Sequence, residues 1–189
     1  MGCDIHLYVE RFRQGVWVPV DPPQRVSQTN KTLQELVRED GYWSDWGRYN
    51  EEVPELEQLM NAGEEDPYPR TAQSWAFGRN YHAFAMLADV RNRGDVEPFM
   101  PPRGFPDDIS EEVWNVVTDG IEVNDYLHSE SYFTLMELEE IIENRGDKDQ
   151  ETWLDGIPRI LQLIEELKII VKKHNLPHSN VRIVFCFDN

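Results

Sequence analysis

Hydrophobic positions alternate at the start of the chain. From Cys3 to Phe12, Cys3, Ile5, Leu7 and Val9 fall on one side and Asp4, His6, Tyr8 and Glu10 on the other. That period of two predicts a half-buried strand. Gln14-Gly15 offers a turn, and Val16 to Val20 reads as the returning strand of a β-hairpin. Pro19 has no N–H to donate, which puts that strand at an edge or an end. The run Val181 to Phe187 is almost wholly apolar and β-rich, the mark of a central strand. Glu130 to Phe133 predicts a further short strand.

Between these segments the period changes to that of helices. Leu33, Leu36 and Val37 suggest a short helix over 32–37, and Phe84, Leu87, Ala88 and Arg91 one over about 80–92, stopped by Gly94. Ser110 is a good N-cap for a helix through Val113, Trp114 and Val117, ending near Gly120. Thr134 and Glu137 have the spacing of a capping box, ahead of a stripe of Leu135, Leu138, Ile141 and Ile142 closed by Gly146. A polar loop over 147–151 leads to the strongest helix, about 156–174. Its stripe is Ile157, Ile160, Leu161, Ile164, Leu167 and Val171, and Pro177 ends it. The expected fold is α+β, a small, mostly antiparallel sheet made of the N-terminal hairpin and the C-terminal strand, packed with several helices.

The chain reads as a single domain over 1–189, with an acidic, aromatic-rich insertion at about 41–70. That insertion holds Tyr42, Trp43, Trp46 and Tyr49, followed by a 51–69 stretch with seven acidic residues and no Lys or Arg. Prolines make 98–108 a rigid loop rather than a helix. Composition then narrows the classes. Hydrophobic residues at 40% and aromatics at 11% argue against a disordered chain. Eighteen basic against thirty-six acidic residues give a net charge of −18, which argues against direct nucleic-acid binding, since phosphate contacts need a basic face. No apolar run is long enough for a membrane span, charged residues interrupt any secretory leader, and His6 replaces the Ser or Thr of a myristoylation signal. Cys3 and Cys186 read as small buried residues in a cytoplasmic protein rather than a disulfide framework.

Four sets of residues are of types that carry chemistry. Asp4 and His6, two apart on a strand, project from one face and make half of a site for a divalent metal, or simply a His–Asp hydrogen bond. His128 and Ser129, with Ser131, are candidates for a base and a nucleophile, or for a turn with hydroxyls on the backbone. Arg79, Arg91, Arg93 and Arg103 suit phosphate by bidentate bonding, or pair with the abundant carboxylates. Trp43 and Trp46 suit a ligand platform or a partner contact. The charge itself fits either solubility or DNA mimicry.

The opening Met-Gly-Cys-Asp-Ile-His-Leu-Tyr-Val-Glu resembles the start of a group of uncharacterised bacteriophage and prophage proteins. Other pieces are similar to it as well: Arg79-Asn80-Tyr81, Leu87 to Asn92, Pro102-Arg103-Gly104, His128-Ser129-x-Ser131 and the closing Phe187-Asp188-Asn189. Members of the group carry a second His where this chain has Glu130. The resemblance implies phage origin and an accessory, non-virion role, and carries over no activity.

If the first and last strands pair, Asp4, His6 and Asp188 meet. The first reading is then a phage accessory protein that sequesters a small phosphate-bearing ligand in the host cytoplasm, such as a nucleotide or a nucleotide-derived immune signal. Arg79, Arg91 and Arg103 hold phosphate, Asn80 bonds base or sugar, and His128 lines the site. The second reading is a metal-assisted hydrolase of such a ligand, with Asp4, His6 and Asp188 on a divalent metal and His128 as acid or base. The third is an acidic inhibitor of a host protein, or a DNA mimic. A homo-oligomer fits any of them.

Overall fold

The computed structural model describes residues 2–21, 72, 74–93, 96–123, 127–145 and 156–188, with the backbone alone over 119–123. The helix expected over 32–37, the insertion at about 41–70, the stops at Gly94 and Gly146 and the loop over 147–151 lie outside them. Strands β1 (Ile5–Arg13), β2 (Val16–Val20), β3 (His128–Thr134) and β4 (Val181–Phe187) form one antiparallel sheet in the order β2-β1-β4-β3. Helices α1 (Tyr81–Ala88), α2 (Glu111–Val123), α3 (Leu135–Arg145) and α4 (Ile157–His174) pack on it, and a 3-10 turn (His178–Asn180) leads into β4. The fold is α+β.

Local chemistry accounts for most boundaries. Gln14 and Gly15 both take positive φ (53° and 89°), the turn handedness that matches strand twist, so the hairpin closes at Arg13 and Val16 with two residues. Pro19 sits in the edge strand β2. Thr134 and Glu137 form the expected capping box: Glu137 N–H donates to Thr134 Oγ1 (3.2 Å) and Thr134 N–H to Glu137 Oε2 (2.7 Å). Ser110 Oγ caps α2 by accepting from Val113 N–H, and the helix runs to Val123, beyond the expected end at Gly120. Helix α1 is shorter than its periodicity predicts, because Asp89 turns left-handed (φ 59°) and closes it before Arg91. Strand β3 begins two residues earlier than the alternation predicts, since a bulge between His128 and Ser131 breaks the period.

Both faces of the sheet are covered. One carries Leu7, Val9, Phe133, Ile183, Phe185 and Phe187 into the main core with α1, α3 and α4. The other packs Tyr8 and Cys186 against Val113 and Val117 of α2. This corrects the half-buried reading of β1, which is buried from Leu7 to Arg11 on both sides. The two free cysteines are buried, as expected, but on opposite faces of the sheet. The α4 stripe is also revised. Leu161 is exposed, whereas Leu163, Ile169 and Ile170 are buried, because α4 meets β4, α1 and α3 at once and buries more than one seam.

On the α2 side the sheet holds a charge pair in full burial. Arg182 Nε donates to Glu10 Oε2 (2.7 Å) across the β1–β4 pair, and Arg182 Nη1 to Asp108 Oδ1 (2.6 Å). Ser110 N–H donates to Glu10 Oε1 (2.8 Å), so the same carboxylate anchors the start of α2. Trp17 covers the guanidinium at 3.9 Å. Removing one partner of such a pair strands the other charge, at about 3–5 kcal/mol. Arg182→Met should therefore lower the urea midpoint by that amount of stability. Adding Glu10→Gln should recover part of it, because the neutral amide still bonds Ser110 and no buried charge is left alone, Asp108 being exposed.

Glu166 of α4 is buried with Oε1 unpartnered, and burial pushes its pKa up to about 8. The folded protein thus holds a proton that the unfolded chain releases near its ordinary value of 4.5. Stability from this group is full below about 4.5 and lost as pH rises toward about 8. Glu166→Gln should flatten that fall, on the order of 1 kcal/mol per pH unit across the window, as read from urea midpoints at pH 5 and 7.5.

Candidate functional site

The register places the candidates. Ile5, Phe187 and His128 stand side by side across β1, β4 and β3. Asp4, His6, Asp188, His128 and Ser129 therefore lie within one residue of a single row at one end of the sheet. Asp4 and Asp188 close that end. Asp4 N–H donates to Asp188 Oδ1 (2.9 Å) and Asp188 N–H to Asp4 O (3.1 Å). His6 Nε2 lies 3.1 Å from Asp188 Oδ2, with both side chains half-exposed.

Arg79 enters from the segment ahead of α1, which runs along β1: Trp75 N–H donates to Leu7 O (2.6 Å). Its guanidinium grips Asp4 with two bonds, Nε to Oδ1 (2.7 Å) and Nη2 to Oδ2 (2.5 Å). That contact holds the Asp4 carboxyl below the usual carboxylate range. Gly2 lies under the same guanidinium, and a Cβ there would stand 2.6 Å from Arg79 Nη1, so a side chain at this position would push the fork aside. Tyr81, 37% exposed, accepts from Cys3 N–H through its hydroxyl (3.4 Å) and sets its ring edge-on to Phe84. Arg91, at φ 54°, reaches the Cys3 thiol; burial pushes that thiol's pKa up and the Arg91 bond partly offsets it. Gly2 and Tyr81 fall within the motif pieces quoted above, but the sequence assigns neither a role in the site.

The remaining candidates are placed differently. Asn80 Oδ1 accepts from Ala83 N–H (3.0 Å) as the N-cap of α1, a structural duty that the sequence reading of a base or sugar contact did not include. Arg103 is not brought to Arg79. It lies along the outer edge of β3, where Nη1 donates to Glu137 Oε1 (2.7 Å), Nη2 to Tyr132 O, and the guanidinium sits 4.0 Å from the Tyr132 ring centroid. Ser131 is buried and its hydroxyl accepts from Arg103 N–H (3.3 Å). His128 Nδ1 meets Ser129 Oγ (3.0 Å), its ring stacks on Phe187, and Nε2 is buried without a partner.

Asp4, His6 and Asp188 do converge, yet they do not form a metal cage. Both Asp4 oxygens face Arg79, and both Asp188 oxygens face the Asp4 amide and His6, so the donors point at one another. Among the described residues no group of three His, Cys, Asp or Glu side chains is arranged for a metal ion. Nor, among them, is any helix long and apolar enough to cross a membrane. Tyr8 and Cys186, behind the row, are both pushed by burial to about 12 and stay neutral.

No family model, curated protein or solved structure matches the chain.

Arg103 holds a loop to a strand edge and to the first turn of α3. Arg103→Met should cost about 1–3 kcal/mol in urea unfolding through the lost charged hydrogen bonds.

Proposed function

We propose that this chain is a bacteriophage accessory protein that binds, and thereby sequesters, a small phosphate-bearing ligand at the row where β1 begins and β4 ends. One observation carries the reading. Arg79 presents a bidentate guanidinium, 52% exposed, held by a single carboxylate that is itself 51% exposed. An exposed ion pair is worth only about 0–1 kcal/mol. A phosphate, with more charge and more acceptor oxygens than Asp4, can take the same fork at little cost. Arg91 reaches Cys3, the residue before Asp4, and Tyr81, 37% exposed, offers an aromatic ring on which a base could stack. Nucleotides and nucleotide-derived signals of the host cytoplasm are the ligand class that uses both features. Arg103 has no part in this reading.

Calorimetry against a panel of ribonucleotides, with native mass spectrometry as a second readout, tests it. Wild type should retain a nucleotide-sized mass, and Arg79→Gln should weaken binding at least tenfold. Asp4→Asn removes the competitor for the guanidinium and should tighten binding by up to about fivefold, the equivalent of one exposed pair. Arg103→Met should leave affinity unchanged. A protein that stays bare across the panel, or an Arg79→Gln variant that binds like wild type, defeats the reading.

A further inference from the structure

We infer that His6 is a nucleophile that takes a phosphoryl group from the ligand bound at Arg79, an inference that rests on the binding reading above.

The argument starts from the tautomer. Asp188 Oδ1 already accepts from the Asp4 amide, and Oδ2 faces His6 Nε2 at 3.1 Å. A carboxylate can only accept, so Nε2 carries a proton and, in the neutral ring, Nδ1 carries the free lone pair. Among the described residues Asp188 is the one hydrogen-bond partner of the His6 ring, and the side chain is 38% exposed. The lone pair is thus unblocked there, and the carboxylate behind the ring fixes its orientation. Asp4 lies within electrostatic range of His6, and Arg79 within range of Asp188. An oriented imidazole and a phosphate-binding fork therefore share one small site.

The other nucleophiles at this end of the sheet are less suited. Ser129 pairs with His128, but His128 Nε2 is buried with no carboxylate behind it, so a proton taken from Ser129 would leave an uncompensated imidazolium. Cys3 and Cys186 are both fully buried. An imidazole nitrogen needs no base, because its lone pair is available as it stands.

In the step, the Nδ1 lone pair attacks phosphorus. The N–P bond forms as the bond from phosphorus to the leaving oxygen breaks, and that oxygen keeps the pair and takes a proton from solvent. Asp188 balances the positive charge on the ring, and Arg79 balances charge on the phosphoryl oxygens. Water then attacks phosphorus, the N–P bond breaks, and inorganic phosphate and free His6 result.

Phosphoramidate, a small phosphoryl donor that loses ammonia, is a suitable probe. The intact protein is incubated with it, followed by intact mass and then peptide mapping under alkaline conditions, where phosphohistidine survives. The chain has five histidines, so the other four are internal controls. The expected result is one acid-labile phosphoryl adduct on the His6 peptide, absent in His6→Gln and formed at least tenfold more slowly in Asp188→Asn. Far-UV circular dichroism confirms that each variant is folded, and Asp188→Asn keeps the side-chain shape if His6→Gln does not fold. An adduct spread evenly over the histidines, or formed equally in Asp188→Asn, overturns the inference. If ribonucleotide binding depends on Arg79 but no His6 adduct forms, transfer fails and binding stands. If neither is seen, both fall.

Discussion

The antiparallel pairing of β1 with β4 is the constraint on which the rest of the structure depends. It joins residues as far apart as Asp4 and Asp188, 184 positions along the chain. The entropy of closing so long a loop grows only with the logarithm of its length, so a strong local gain can offset it. Strand β4 supplies that gain, since every one of its seven residues is buried. A shift of one residue would turn Phe185 and Phe187 out of the main core and move Arg182 away from Glu10. The same alignment sets Asp188 beside Asp4 and His6. The core and the polar site are thus fixed by one register.

Arginines divide the remaining labour in this acidic chain. Arg182 sits under α2 with Glu10 and Asp108. Arg159 ties α4 to the chain ahead of α1 by donating to Phe77 O (2.6 Å). Arg103 holds the proline-rich loop to β3 and α3. Arg182 and Arg159 work in burial, and in all three a planar fork satisfies several acceptors at once. Arg79 differs in being half-exposed and held by one carboxylate. Sorting the arginines by the acceptors that hold them, rather than by their position in the chain, separates structure from candidate function.

Much of the fold was legible because local rules agree with it. The alternation over Cys3 to Phe12, the Gln14-Gly15 turn, the Thr134–Glu137 capping box and the apolar run of β4 each point to what is observed. The meeting of Asp4, His6 and Asp188 was legible too, since it follows from pairing the terminal strands. What failed was information that periodicity does not contain. Alternation gives parity along β1, but it says nothing of what covers the second face, so Glu10 was read as an outward residue when it is fully buried. Spacing cannot show that Arg103 belongs to a strand edge or that Asn80 is needed as a cap. Gly2 matters because a guanidinium passes over it, a contact between segments 77 positions apart.

The placing of acidic groups beside the proposed phosphate site looks contradictory, and the hydrogen bonds resolve it. Asp188 is not a free charge, because its oxygens accept from the Asp4 amide and His6. Asp4 is neutralised by the group that a ligand would use. The exchange also selects. A simple monoanion gains nothing over a carboxylate already present in ideal geometry. A phosphate group, with charge near −2 and three acceptor oxygens, gains enough to displace it. Under the proposed function the Asp4–Arg79 pair would therefore act as a threshold, and a ligand that crosses it would arrive beside His6, whose ring meets Asp188 where β1 and β4 pair.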